Sequence, residues 1–236
     1  MKVCVIGDIH GTMKWHDCYK KIKDNDNDCD KIIVCGDWFD PYDDISLDTM
    51  IERYHEFIND MNNDDRIISL IGNHDIDGYI IDGKTNRTCR NRTSRKLISE
   101  EISSNLSNSY LVYKIGNWLF SHAGVSQDWF DSIKDGKNII LSNKKGWTSQ
   151  ELNDLCVFYP MDFSGYGNNS MQGCTWIRPQ VLINNHIEGY NQVVGHTRVN
   201  EITNLKVIDN SLDVDIWLVD NCGEPKYLTL EIEHCE

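Results

Sequence analysis

Metal-binding residue types follow five short apolar segments of this chain, each directly or within a few residues. They are Asp8, His10, Asp37, Asn73, His122 and His196. None is a thiolate, and a mixed set of oxygen and nitrogen donors suits manganese, iron or zinc better than a structural zinc site of cysteines. Asp37 is the natural bridging ligand, because one carboxylate can offer an oxygen to each of two cations. Two divalent cations about 3.5–4 Å apart can share a hydroxide and hold phosphoryl oxygens, so the pattern indicates hydrolysis at phosphorus.

The apolar segments have the length and β-branched content of buried strands. They cover residues 3–6, 32–35, 67–71, 118–120 and 192–194. Residues 47–61 between them carry a helical apolar stripe, and residues 201–232 alternate apolar and polar side chains as antiparallel strands do. This interleaving predicts an α/β domain. Loops after the carboxyl ends of its strands place ligands on one rim, so the six residues are expected to converge there.

Composition places the chain among ordinary globular proteins. It has 236 residues, with 40% apolar and 25% charged, which predicts one domain over residues 1–236 with an insertion or cap at about 135–190. A formal charge of −14 argues against a surface that coats nucleic acid. No apolar run is long enough for a membrane helix. The nine cysteines include no CxxC pair and are expected to be free thiols, which indicates a cytoplasmic location.

Five motifs resemble the signature motifs of the calcineurin-like metallophosphoesterases, in the order typical of that family over residues 7–197. They are Gly7-Asp8-Ile9-His10-Gly11, Gly36-Asp37-Trp38-Phe39-Asp40, Gly72-Asn73-His74-Asp75, Ser121-His122-Ala123-Gly124 and Gly195-His196-Thr197. Any one alone is a weak signal, whereas five in order are specific. The resemblance implies a four-layer αββα sandwich, in which two mixed β-sheets are flanked by helices.

The resemblance also implies residue roles and two divalent metal ions. Asp8 and His10 would hold the first ion and Asp37 would bridge, while the second ion would be held by Asn73, His122 and His196. The ions would be manganese, with iron or zinc as alternatives.

A proton donor is implied by the same motifs. His74 would be the general acid that protonates the leaving oxygen, and Asp40 would accept a hydrogen bond from His74 and orient it. Asn73 would also contact the substrate.

Two departures from the family concern the grip on phosphate. Pro41 and Ile71 stand where the Ser/Thr phosphatases of this superfamily carry arginines. Arg178 lies in a segment that resembles the W-x-R segment of bacterial and phage members, where the arginine contacts phosphate. Arg198 lies two residues after His196, where many phosphodiesterase members carry a further histidine; a substrate contact and a plain surface charge both remain open for it.

A basic stretch over residues 84–96 contains six cations and no acid. Arg87 and Arg90 within it are candidate substrate contacts, as a lip that gathers phosphate. A solvated loop leading into a helix is the alternative reading.

The sequence therefore favours a phosphomonoesterase similar to Ser/Thr protein phosphatases. Its partners would be phosphoproteins or nucleotides. The alternatives are hydrolysis of nucleotides, dinucleoside polyphosphates or nucleic-acid ends, and a non-catalytic scaffold of the same fold. Such scaffolds usually lose the acid or a ligand, whereas His74 and all six ligand positions are intact here.

Overall fold

The computed structural model describes residues 1–76, 95–156, 167–208, 213–221 and 224–233. A first sheet of four strands has the order β3 (Ile67–Ser69), β2 (Lys31–Val34), β1 (Lys2–Ile6) and β9 (Leu228–Glu231). Strands β1, β2 and β3 are parallel, whereas β9 runs antiparallel to β1.

A second sheet of five strands has the order β4 (Val112–Ile115), β5 (Trp118–Ser121), β6 (Asn191–Val194), β8 (Asp213–Leu218) and β7 (Thr203–Ile208). Its three central strands are parallel, and an antiparallel strand closes each edge. Both sheets are therefore mixed, as expected. The alternating tail supplies the antiparallel pair β7–β8 as predicted, but β9 leaves that pair and joins the first sheet beside β1.

Successive side chains of a strand point to opposite faces of the sheet, so each strand of the first sheet contributes to two layers of core. Val3 and Val5 of β1 pack with Phe120 and Val193 of the second sheet, so this cluster joins the two sheets. The intervening Cys4 and Ile6 pack instead against helices α1 (Lys14–Asn25) and α2 (Leu47–Asn63). Ser46 caps α2 by accepting a hydrogen bond from the Thr49 N–H.

Helices also cover the outer face of the second sheet. Val194 and Ile216 of that face pack with Leu182 of a short helix. The helices after α2 are α3 (Asn73–Ile76), α4 (Arg95–Asn105), α5 (Gln127–Ser132), α6 (Gly136–Ile140), α7 (Ser149–Leu155) and α8 (Pro179–Asn184). The layers are thus helix, sheet, sheet and helix, which confirms the calcineurin-like α/β sandwich.

The described part of residues 135–190 contains α6, α7 and α8 with connecting loops. Its status as an insertion or cap within a single domain stays a prediction. Among the helices that the structure describes, none has the length and apolar character required to cross a bilayer.

Candidate metal centre

The six predicted ligands lie together in the loops that follow β1, β2, β5 and β6 and at the start of α3. Ligand atoms of Asp8, Asp37 and His122 lie within 4.8 Å of one another. His10 Nε2 is 3.6 Å from Asp37 Oδ2 and 4.0 Å from Asp8 Oδ2. The parallel strands carry these loops to one edge, which is the physical reason for the convergence.

The second half of the cluster gathers around the His122 ring. Its Nε2 lies 2.7 Å from Asn73 Oδ1, 3.2 Å from His196 Nδ1 and 3.4 Å from Asp37 Oδ2. Asp37 thus faces both His10 and His122, which is the position that a bridging carboxylate needs.

Each of the three imidazoles has its outer nitrogen against a backbone carbonyl. His10 Nδ1 is 3.1 Å from the carbonyl oxygens of Phe39 and Asp40. His122 Nδ1 is 2.7 Å from the Cys35 oxygen, and His196 Nε2 is 3.1 Å from the Trp176 oxygen. A carbonyl can only accept, so the outer nitrogen carries the proton and the inner nitrogen turns its lone pair towards the cluster.

This donor set fits a divalent cation. Burial lowers the pKa of His122 to about 3 and also lowers the pKa of His10 and His196. All three rings are therefore neutral at physiological pH. The inward lone pairs of His10 and His122 face oxygens of Asp37 and Asn73, and that of His196 faces His122 Nε2. Acceptors therefore point at acceptors, an arrangement that a cation makes favourable.

Carboxyl groups outnumber basic side chains in the buried part of the site. Burial raises the pKa of Asp8 and Asp37 well above the usual carboxyl value. Three further buried carboxylates surround them, and one buried ammonium accompanies the five. The carboxylates are those of Asp8, Asp37, Asp40, Asp75 and Asp220, and the ammonium is that of Lys14.

Lys14 carried no sequence signal for this role. The Lys14 side chain is fully buried, 3.6 Å from the Asp220 carboxylate. Lysine is rarely buried unless it is paired, so the first residue of an amphipathic helix would be expected at the surface.

The loops hold four non-glycine site residues in left-handed backbone conformations. The φ angles are +48° for His10, +53° for Asp37, +61° for Asp40 and +59° for His196. Such conformations are unfavourable for these residues and persist only where the surroundings enforce them, typically at functional sites. Here the His10 N–H donates to the Asp37 carbonyl (2.6 Å), and the His196 N–H donates to the Asp8 carboxylate (3.0 Å).

Asp75 organises the loop after β2, a role that the sequence did not reveal. It accepts hydrogen bonds from the backbone N–H groups of Asp37 (2.9 Å), Trp38 (2.8 Å) and Gly72 (2.8 Å). Burial raises the Asp75 pKa to about 6, and the three donors oppose that rise. The available signal was its place as the last residue of the Gly72–Asp75 motif.

Glycines 72 and 195 are required beside the two carboxylates. A Cβ atom at Gly72 would collide with Asp37 Oδ1, and one at Gly195 would collide with Asp8 Oδ1. Side chains at these two positions would displace the carboxylates, so glycine is needed to leave room for the carboxylate groups.

The predicted acid and its partner are in contact. His74 Nδ1 lies 3.0 Å from Asp40 Oδ2, and the His74 N–H donates to Asp37 Oδ1 at 2.8 Å. Asp40 is fully buried and His74 is 9% exposed. The dyad therefore adjoins the bridging carboxylate and keeps limited access to solvent.

Of the predicted arginines, Arg178 lies against the loop of His196. It is the N-cap residue of α8, and its Nη1 donates to the His196 carbonyl (3.3 Å) and to Thr197 Oγ1 (3.2 Å). Burial lowers its pKa, while the nearby charges of Asp8 and Asp37 act in the opposite direction. Arg178 thus lies near both carboxylates and also supports the loop that carries His196.

Arg198 is exposed, with its guanidinium 3.2 Å from the centre of the Tyr42 ring. Arg87 and Arg90 lie outside the described residues, so the predicted basic lip stays a prediction.

A sandwich of two mixed sheets with buried carboxylates and imidazoles at one rim defines a class of metal-dependent hydrolases. The chain belongs to the calcineurin-like phosphoesterases, because the model of that family matches residues 1–227. It is therefore a metal-dependent hydrolase of phosphoric esters.

Solved structures share the fold at low sequence identity. A cold-active protein tyrosine phosphatase of a psychrophilic Shewanella is 19% identical, with a TM-score of 0.58 over 98% of this chain and 75% of that one. Another structure of a cold-active protein tyrosine phosphatase is 21% identical, with a TM-score of 0.62 over 98% of this chain and 73% of that one. No curated protein has a significantly similar sequence. At these identities the likeness concerns the fold alone.

Proposed function

We propose that this protein is a two-metal phosphomonoesterase. Asp8 and His10 hold one divalent cation, and Asp37 bridges to a second. The second cation is held by Asn73, His122 and His196. Manganese is the proposed ion, with iron or zinc as alternatives.

The buried cluster of carboxyl groups is the observation that carries the proposal. Among the described residues, five aspartates and one lysine are buried, and burial raises the pKa of Asp8 and Asp37 because it disfavours their ionised form. An uncompensated buried charge costs several kcal/mol even after relaxation. Divalent cations would compensate these carboxylates, and Asp37 faces both His10 and His122, so it can contact two of them.

When bound, the cations lower the pKa of water enough to supply a nucleophile at neutral pH and neutralise phosphoryl oxygens. The chain positions the proton donor. Asp40 accepts the His74 Nδ1 hydrogen, which orients the ring and leaves Nε2 as the atom that delivers a proton to the leaving alkoxide. Arg178, near Asp8 and Asp37, is placed to bind the phosphoryl oxygens as charge builds on them.

Hydrolysis of nucleotides, dinucleoside polyphosphates or nucleic-acid ends is the second candidate, and it uses the same groups. The exposed guanidinium of Arg198 favours it, because a polyphosphate places further negative charge outside the metal centre. A phosphoprotein substrate would meet Arg198 only through its flanking residues.

A substrate panel tests the proposal. It contains p-nitrophenyl phosphate, bis-p-nitrophenyl phosphate, phosphoserine and phosphotyrosine peptides, ATP and diadenosine tetraphosphate, each with manganese. We expect the monoesters to be hydrolysed faster than the diester. Faster cleavage of the diester would overturn the monoesterase proposal. Stoichiometric metal without hydrolysis of any substrate would favour the scaffold alternative.

We also propose a reducing, cytoplasmic location. The six cysteines that the structure describes are buried free thiols, which supports a reducing compartment. Fractionation of the cells that produce the protein tests this, and recovery outside the cytoplasm would contradict it.

A further inference from the structure

Tyr42 is the neighbour of Pro41, which stands where the Ser/Thr phosphatases of this superfamily carry an arginine. It follows Pro41 in the loop after β2, and its side chain is 45% exposed. Its ring meets the His10 ring edge to face, with ring centroids 4.6 Å apart. Tyr42 therefore stands at the border between the metal centre and solvent.

Arg198 reaches the same ring from another loop. Its guanidinium carbon is 3.2 Å from the Tyr42 centroid, although Arg198 follows β6 and Tyr42 follows β2. An exposed arginine usually samples many rotamers, and fixing it in one of them costs conformational entropy. Stacking on an aromatic face offsets part of that cost before a ligand arrives.

Stacking also determines which part of the guanidinium meets a ligand. With the guanidinium carbon 3.2 Å from the ring centre, an edge-on group would push its nitrogens into the ring, so we infer that Tyr42 meets the flat face of Arg198. The N–H donors lie in the plane of the group and point outward from its edge. That edge matches a phosphate or carboxylate in a bidentate arrangement. A guanidinium held in this way presents its donors beside the metal centre and not within it.

We propose that Tyr42 is a positioning residue that orients Arg198 to bind a second phosphoryl group, adjacent to the one that is cleaved. Arg178 lies near Asp8 and Asp37 and serves the cleaved group, whereas the Tyr42 ring lies between Arg198 and His10. This inference rests on the two-metal hydrolysis proposed above and deepens its second candidate, because it assigns diphosphates and polyphosphates as the substrate class. Arg198, in the loop after β6, thereby supplies a positively charged side chain that Pro41 does not.

The test compares product-like inhibitors at a fixed free manganese concentration. Inhibition constants of orthophosphate and pyrophosphate are measured with p-nitrophenyl phosphate as the reporter substrate. Arg198→Gln should raise the pyrophosphate constant about tenfold more than the orthophosphate constant, because one charge-assisted contact is lost. Tyr42→Leu should reproduce most of that change, and Tyr42→Phe should keep the wild-type ratio, since it keeps the ring.

A control and a double variant complete the experiment. Lys206→Gln on β7 removes the same charge from an exposed site and should leave the ratio unchanged. Tyr42→Leu with Arg198→Gln should be no worse than Arg198→Gln alone, because Tyr42 acts through Arg198. Equal effects on both inhibitors, or additive effects of the two substitutions, would overturn the proposal.

Calorimetry of pyrophosphate binding to the manganese-loaded protein separates this inference from the proposed function. A protein that hydrolyses no substrate would sink the proposed function. Calorimetry would still show whether Arg198→Gln weakens pyrophosphate more than orthophosphate.

Discussion

The ammonium of Lys14 lies 3.6 Å from the Asp220 carboxylate, and both side chains are almost entirely buried. Asp220 abuts Gly7, because a Cβ atom at Gly7 would lie 2.8 Å from the Asp220 Cα. The negative charge of Asp220 adds to the rise in the Asp8 pKa, and Lys14 opposes it. Among the described residues, Lys14 supplies the one buried positive side-chain charge that accompanies five buried carboxylates.

Replacement of Lys14 by methionine should destabilise the metal-free protein by about 3–5 kcal/mol, because the buried Asp220 carboxylate loses the ammonium that lies 3.6 Å from it. Urea unfolding in chelator measures the change. Lys14→Met with Asp220→Asn should recover part of the loss. Lys20→Met, on the exposed face of the same helix, is the control and should change stability by less than about 0.5 kcal/mol. A double variant no more stable than Lys14→Met would contradict a specific pairing.

Chelation should abolish phosphatase activity, and manganese should restore it best. Asp37→Asn should lower metal content as well as activity, because Asp37 faces both halves of the cluster. Mass spectrometry of the metal content checks both expectations. Full activity of a protein shown to be free of metal would rule out the mechanism.

Metal binding should release protons from carboxyl groups and not from imidazoles. Burial raises the pKa of Asp8 and Asp37 and lowers the pKa of the three histidines, so the carboxyls hold the protons that a cation displaces. Affinity should therefore rise with pH until the carboxyls are ionised. Calorimetry in buffers of different ionisation enthalpy counts the protons. Equal proton release by wild type and Asp37→Asn would contradict this assignment.

His74→Ala should leave the metals bound and lower kcat by about 10²–10⁴, the usual contribution of a general acid. The loss should shrink for p-nitrophenyl phosphate, whose leaving group needs little protonation. Asp40→Asn should show the same dependence on the leaving group with a smaller loss, because Asp40 acts through His74. If kcat falls equally for substrates with good and with poor leaving groups, His74 supports the structure and does not transfer a proton.

Arg178→Ala should lower kcat/KM at least about tenfold on every substrate, mostly through kcat, because a guanidinium contact strengthens as charge develops. Arg178 also binds the loop of His196, so the metal content of the variant must be measured. Arg178→Lys keeps the charge but loses the planar guanidinium that can bind a phosphoryl group through two N–H donors, so it should recover only part of the activity. A loss that is fully restored by excess manganese would assign Arg178 to support of the loop alone.

The sequence by itself determined the sandwich and the membership of the cluster. Buried strands need β-branched runs, and the predicted segment at residues 3–6 differs from β1 by one residue. Parallel strands carry their following loops to one edge, so the six ligand positions could be grouped without coordinates. Helix α2 was equally evident, because its apolar stripe repeats with the helical period.

Only the tertiary structure decided the features that depend on partners distant in sequence. The transfer of β9 to the first sheet is a pairing choice that alternation does not encode. The burial of Lys14 depends on Asp220, which lies more than two hundred residues away. The stack of Arg198 on Tyr42 likewise joins two separate loops. The local sequence pattern shows which face of its own strand or helix a residue occupies. Charge pairing and stacking depend on contacts between different elements, and the packing of the whole chain decides which elements are in contact.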